Sequence, residues 1–184
     1  MLIGITGVIG SGKSIVTNTF KDLGFQTYDC DSITLLAYKD KKVQDNLLKE
    51  FQTCDKEKIK LMINKDNITK LNQIIHPFVI SYIKHIKEMS ANKIIFIETP
   101  LLYELDLVYL FDKVIVVYAN EQMRNQRLLN RNKDSYLKMK QLEKFQLSQE
   151  IKMTKADYLI DNNFDIENVK NQVQKLVDLL KKLP

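Results

Sequence analysis

Apolar residues fall into two rhythms along this chain. Short unbroken runs at Leu2–Thr6, Phe25–Asp29, Lys93–Glu98, Lys113–Tyr118 and Asp157–Asp161 read as buried strands. Between them, apolar positions recur at helical spacing. Ile15, Val16, Thr19, Phe20 and Leu23 form one such face, with Gly24 placed to end the helix. No strand is expected from Ser32 to Ser90. That stretch offers three helical faces: Val43, Leu47, Leu48 and Phe51; then Ile59, Leu61, Met62 and Ile63; then Ile68, Leu71, Ile75, Phe78, Tyr82 and Ile86. Proline suits the first turn of a helix, so His76-Pro77 is expected to begin a new one. Ile166 to Leu180 closes the chain as an amphipathic helix. Strands separated by helices predict an α/β fold with a five-stranded parallel sheet flanked by helices. The long helical stretch exceeds one crossover helix and marks an inserted lobe at about 32–91. The core is then 1–31, 92–121 and 155–184, and the polar segment 122–154 reads as a lid.

Composition narrows the class. At 184 residues, 45% hydrophobic and 28% charged, the chain suits one globular domain with a substantial core. The net charge is +5, but lysines are spread along the whole length rather than gathered with aromatics, so no nucleic-acid partner is expected. Cys30 and Cys54 have no paired spacing, which argues against a thiolate metal site and for a reducing, cytoplasmic setting. No run approaches the roughly 18 apolar residues of a membrane span, so no membrane partner is expected. Nothing in the pattern marks an oligomeric state.

The chemistry begins at residues 7–14, Gly-Val-Ile-Gly-Ser-Gly-Lys-Ser, which fit G-x-x-x-x-G-K-[ST] between a strand and a helix. Glycines there let backbone N–H groups face phosphate oxygens, and the helix N-terminus adds positive potential. Lys13 neutralises the outer phosphates, and the Ser14 hydroxyl suits Mg²⁺. The expected ligand is a nucleoside triphosphate. Asp29 and Asp31 stand at the C-terminal edge of the second strand, where α/β sheets place ligands. With an extended backbone both carboxylates face one side, one to orient the metal and one to take a proton. The plain alternative is that Asp31 or Ser32 caps the next helix. Glu98, ending the third strand, is a candidate for holding Mg²⁺ through water.

Only three arginines occur, Arg124, Arg127 and Arg131, spaced i, i+3 and i+7 on one predicted helix. In a lysine-rich chain, that clustering points to a planar, permanently charged fork on a transferring phosphate, with Arg127 and Arg131 ahead of Arg124. His76 alone reads as a structural or capping histidine. These residues leave the acceptor open. A kinase for some other small hydroxyl or nucleotide fits them, and so does a switch-type nucleotide-binding protein. Asn64-Lys65-Asp66-Asn67 departs from guanine-reading N-K-x-D at its fourth place, and no D-x-x-G follows a strand.

Taken together, the chain resembles the dephospho-CoA kinases over nearly its whole length. The likeness rests on residues 7–14, D-x-D at 29–31, His76-Pro77, Pro100-Leu101-Leu102-x-Glu104, Arg127 with Arg131, Gln146 with Lys152, and Ala156-Asp157-Tyr158-x-Ile160-Asp161-Asn162. The resemblance implies a P-loop kinase fold with a helical acceptor lobe and a lid. It implies transfer of the ATP γ-phosphoryl to the ribose 3′-hydroxyl of dephospho-CoA, with Mg²⁺. ATP would be held by Gly10, Ser11, Gly12, Lys13, Ser14 and Ile15, with Asn162 near its adenine. Asp31 would be the base, acting with Lys13, Arg127 and Arg131, and the acceptor would meet Asp29, Asp31, His76, Leu102 and Glu104. Ser14 and Glu98 would serve the metal. Val8, Ile15, Leu35 and Leu142 stand where the family usually carries glycine, serine or threonine, and two arginines, and Glu98 replaces a frequent aspartate. Lys138, Lys140 or Lys144 would then supply lid charge.

Overall fold

The computed structural model describes residues 1–64, 66–131 and 133–182, with backbone alone for residues 131, 133–135, 138 and 139. Its elements are β1 (Leu2–Thr6), α1 (Lys13–Asp22), β2 (Gln26–Asp29), α2 (Cys30–Ala37), α3 (Lys41–Phe51), α4 (Lys56–Met62), α5 (Ile68–Met89), β3 (Ile95–Glu98), β4 (Lys113–Tyr118), α6 (Glu121–Arg131), α7 (Lys133–Glu143), α8 (Gln149–Thr154), β5 (Tyr158–Asp161) and α9 (Ile166–Leu180), with a 3₁₀ turn at Leu107–Leu110. Two compact units are distinguished: Met1–Thr27 with Ser90–Pro184, and Tyr28–Met89.

The sheet has strand order β2-β3-β1-β4-β5, and all of its strands but the end of β2 belong to the first unit. β1 pairs in parallel with β3 and with β4, and β4 with β5, in registers that set Ile5 opposite Glu98 and opposite Ile115. Burial follows that order. Every residue of β1 is buried, as are three of four in β3 and four of six in β4, whereas β5 at the edge is only part-buried. Central parallel strands are covered on both faces, which is why they read as unbroken apolar runs. On one face α1 and α9 close the core, where Ile3, Ile5, Val16, Phe20, Phe96, Val173 and Val177 pack together. Phe20 stacks on Phe96 at 3.8 Å between centroids, and Phe25 meets both rings edge-on. Gly24 follows the C-cap of α1 with φ +85°, as its position in the sequence leads one to expect.

The second unit is helical after Asp29, and α2 and α3 pack against α5. Here the expected faces need correction. On α3 the buried residues are Val43, Leu47 and Phe51, while Leu48 is exposed. On α4 only Ile59 is buried, since Leu61 and Met62 point to solvent. Pro77 does not begin a helix but lies inside the 22-residue α5. An internal proline removes one backbone hydrogen bond and costs about 3 kcal/mol. The helix continues because its buried stripe runs straight through that position, with Ile75 before it and Val79, Ile83 and Ile86 after. Burying four such side chains contributes about 1.5–3 kcal/mol each, which outweighs the break. Phe78 and Tyr82 are half-buried and stack on each other at 6.1 Å. Asn64 and Asn67 form a side-chain-bonded turn before α5 rather than a base-reading loop. Among the described residues no helix is long and apolar enough to cross a membrane.

Tyr103, in the turn at 100–106, supplies a test of the first unit. It is buried, and its hydroxyl has no hydrogen-bond partner among the described residues. The Lys155 ammonium lies 5.7 Å from the ring centroid. Burial, and then the charge of Asp157, push the phenol up to about 12. The folded state therefore keeps a proton that the unfolded chain releases near pH 10. Its contribution to stability is complete below about pH 10 and is lost as pH rises toward 12. Tyr103→Phe keeps the ring under Lys155 and removes the hydroxyl. It should raise stability at pH 7 by about 1 kcal/mol and flatten the alkaline decline. Urea unfolding at pH 7 and across the alkaline range measures both effects.

Candidate active site

Between β1 and α1, residues 7–12 turn sharply enough that α1 begins at a glycine. Gly12 is its N-cap, at φ +91°, and no side chain caps the helix. An uncapped N-terminus leaves first-turn amides and the positive end of the helix dipole facing the loop, which makes an anion site. Gly12 has a second reason to lack a side chain, because a Cβ there would collide with the amide nitrogen of Asn162. Asn162 follows β5 and is almost wholly buried. Its Nδ2 donates to the Ser11 carbonyl at 2.8 Å, and its own N–H donates to Tyr118 at 2.9 Å.

Arg127 completes this frame. One guanidinium nitrogen donates to the Ser11 carbonyl at 3.4 Å, and the other to the Asn162 carbonyl at 2.7 Å and Oδ1 at 3.2 Å. Burial pulls its pKa below the usual guanidinium range, yet the group stays cationic at neutral pH. The arginines thus take separate partners. Arg124 forms an ion pair with Glu143 on α7, and Lys140 reaches the same carboxylate at 2.9 Å. Burial alone would raise the Glu143 carboxyl, but Lys140 and Arg124 reverse this and hold it below the usual range. The side chains of Arg131 and Lys138 lie outside the described residues.

Lys13 is buried at the start of α1, and its ammonium donates to the Gly7 and Val8 carbonyls at 3.1 and 3.3 Å. Ser14 is exposed on the first turn, and Ile15 is half-buried beside it. Glu98 ends β3, and its Oε2 accepts from the Thr17 hydroxyl at 3.2 Å. Among the described residues no group of three acidic, histidine or cysteine side chains is gathered for a metal. The hydroxyl of Ser14 and the carboxylate of Glu98 are nevertheless hard oxygen donors. They suit Mg²⁺, which takes few protein ligands and draws the rest from water and phosphates.

The helical unit holds the two aspartates. Asp29 is the N-cap of α2, its Oδ1 accepting from the Ser32 amide at 2.7 Å. Asp31 lies exposed in the first turn of that helix. The extended backbone that would align both carboxylates ends at Asp29, so they do not share a strand face. The cap is Asp29, not Asp31 or Ser32. His76 is half-buried on α5, and that burial lowers its pKa. In the first unit, Leu102 is fully buried beside Gly4 and Phe111, and Glu104 pairs with the buried Lys152 at 2.9 Å.

Sequence reasoning misses Thr17, Glu143 and the Glu104–Lys152 pair. A threonine inside a helix and one lysine among many carry no signal of their partners.

The family model described as dephospho-CoA kinase matches residues 1–168. A dephospho-CoA kinase of Fusobacterium nucleatum is 34% identical over 190 residues, covering 98% of each chain. Among solved structures, a Thermus thermophilus protein superposes with a TM-score of 0.83 at 23% identity, covering 98% of this chain and 97% of that one. A dephospho-CoA kinase from Campylobacter jejuni superposes with a TM-score of 0.66 at 24% identity, covering 97% and 96%. At these identities the two structures speak to the fold alone.

The fit of Asn162 onto Gly12 is testable through a pair of variants. Gly12→Ala forces φ +91° on a residue with a Cβ and displaces the Asn162 amide. It should cost about 2–3 kcal/mol, from left-handed strain plus one buried hydrogen bond. Gly24→Ala has a similar φ of +85° but open space around its Cβ, so only the strain of about 1–2 kcal/mol applies. Urea midpoints at unchanged m-value report the difference.

Proposed function

The chain belongs to the dephospho-CoA kinase family, and from that membership we propose that it transfers the ATP γ-phosphoryl to the ribose 3′-hydroxyl of dephospho-CoA, giving coenzyme A and ADP in the cytoplasm. The observation that carries the chemistry is the uncapped N-terminus of α1 behind Gly12, with Lys13 turned into the loop. The acceptor rests on the family match across residues 1–168.

Phosphoryl transfer needs in-line placement and neutralisation of spreading negative charge, with little covalent help. Residues Gly10 to Ile15 bind the ATP phosphates, and the Lys13 ammonium neutralises the outer ones. Asn162 serves the nucleotide side by holding the Ser11 carbonyl. Ser14 and Glu98 would hold Mg²⁺, with the Thr17 hydroxyl orienting the Glu98 carboxylate. When bound, that ion would supply charge neutralisation of the phosphates. Arg127 and Arg131, on the lid helix α6, add permanent cations. Asp31 orients the acceptor hydroxyl and takes its proton late. Asp29 supports it by fixing the first turn of α2 through its cap. By the family likeness the acceptor would meet His76 of the helical unit, and Leu102 and Glu104 in the turn at 100–104 of the first unit.

ADP release should require dephospho-CoA and Mg²⁺ together, and equal release without acceptor would identify a hydrolase instead. Asp31→Asn preserves size and hydrogen bonding but cannot accept a proton. General-base assistance is worth about 10²–10⁴-fold, and a loose transition state puts the expected loss in kcat near about 10². Its ADP affinity should match the wild type, whereas Lys13→Ala should lose both binding and turnover. Near-normal kcat in Asp31→Asn would move the base elsewhere.

A further inference from the structure

The segment that returns from α7 to the core is fastened at four points, and one of them is the phosphate loop. Gln146 Oε1 accepts the N–H of Ile9 at 2.9 Å. The next residue, Leu147, donates its N–H to Glu104 Oε1 at 2.8 Å. Gln149 Oε1 accepts the Ala119 N–H at 3.1 Å, at the end of β4. Lys152, fully buried, donates to Glu104 Oε2 at 3.2 Å and to the Pro100 carbonyl at 3.0 Å, with its ammonium 2.9 Å from Glu104 Oε1. Pro100 O also accepts from the hydroxyl of Thr6 at 3.3 Å, one residue before the loop begins.

Burial pulls the Lys152 ammonium below its usual range, and the bond and charge of Glu104 oppose that shift. A buried pair of this kind adds little net stability against an apolar replacement, but it enforces one arrangement. The arrangement enforced here is the position of Leu147, and with it the reach of Gln146.

We propose that Gln146 is a positioning residue for nucleotide binding: it commits the Ile9 amide to an internal partner, and the Glu104–Lys152 pair fixes where that partner stands. The assignment rests on reading residues 7–14 as the ATP loop. An anion-binding loop presents its amides only while each peptide keeps one orientation. A peptide free to rotate must be ordered when the nucleotide arrives, and that ordering is taken from affinity. Gln146 holds the N–H end of the Val8–Ile9 peptide in advance, while the Ser11 N–H and the Lys13 ammonium hold its carbonyl. Glu104 thereby acts on the nucleotide side of the reaction as well as in the turn it anchors.

The test uses the full chain and ADP as the probe. Gln146→Met keeps length and removes the acceptor at a half-buried position. Gln146→Asn stays polar but is one methylene short, so it repeats the test without adding apolar surface. Each should raise the ADP Kd about five- to tenfold, the effect of one lost hydrogen bond, and raise KM for ATP in parallel. KM for dephospho-CoA should stay within about twofold, and the unfolding midpoint should change little. A structural role would lower the midpoint or raise both KM values together, and either result overturns the assignment. So does an ADP Kd within twofold of wild type in both variants. If the kinase reading is wrong, the wild type binds ADP without acceptor-dependent turnover. The ADP titration still decides the role of Gln146, so the two ideas fail separately.

Discussion

The site depends on one crowded point, the Ser11 carbonyl. It accepts from the Asn162 side chain and from Arg127, and the space those groups occupy is the space a side chain at residue 12 would need. A phosphate loop presents N–H groups inward, so its carbonyls must turn outward and find donors elsewhere. Here the donors come from the end of β5 and from α6, two segments far apart in sequence. The loop is therefore not a self-contained turn. It is held from behind by the far edge of the sheet, and strand order brings the end of β5 within reach of a loop that follows β1.

This explains which parts were legible in the sequence. Five strands and the loop could be read because each rests on local pattern: apolar runs for the strands, fullest in the central β1, β3 and β4, and glycines at fixed offsets before Lys13 and Ser14. Pro77 was misread because a local rule met a longer constraint, the stripe of Ile75, Val79, Ile83 and Ile86 that continues past it. The shared face open to Asp29 and Asp31 on an extended backbone is not formed, because the boundary between β2 and α2 falls between them, with no spacer residue to signal it. Arg127 was singled out as a cation, yet its visible partners are carbonyl oxygens. No side-chain pattern encodes a backbone acceptor, so that role was invisible.

Charge is distributed by the same logic. Of the two arginines whose side chains are described, one is committed to Glu143 and the other to the loop frame. The α6–α7 pair is stitched by Glu143 between Arg124 and Lys140, with Lys140 also reaching Glu121 at 3.2 Å. An ion network of this sort has modest worth in stability, since exposed pairs contribute about 0–1 kcal/mol. Its consequence is mechanical. Arg124 ties α6 to α7 through that carboxylate, so the helix that carries Arg127 is fixed to its neighbour.

That places the Glu104–Lys152 pair in a different light from a surface contact. The chain that leaves α7 must be fixed where it rejoins the core if its side chains are to meet one partner each. Residues 146–152 provide the anchor, and Lys152 is the one lysine among the described residues with no exposed surface. The anchor is ionic where an apolar one would be as stable, and the reason lies in direction. A hydrophobic contact fixes proximity, whereas an ammonium shared among two carboxylate oxygens and the Pro100 carbonyl fixes orientation. Orientation is what the Leu147 peptide needs if Gln146 is to meet a single N–H of the loop, and a residue that slipped by one position would point its side chain away from that amide.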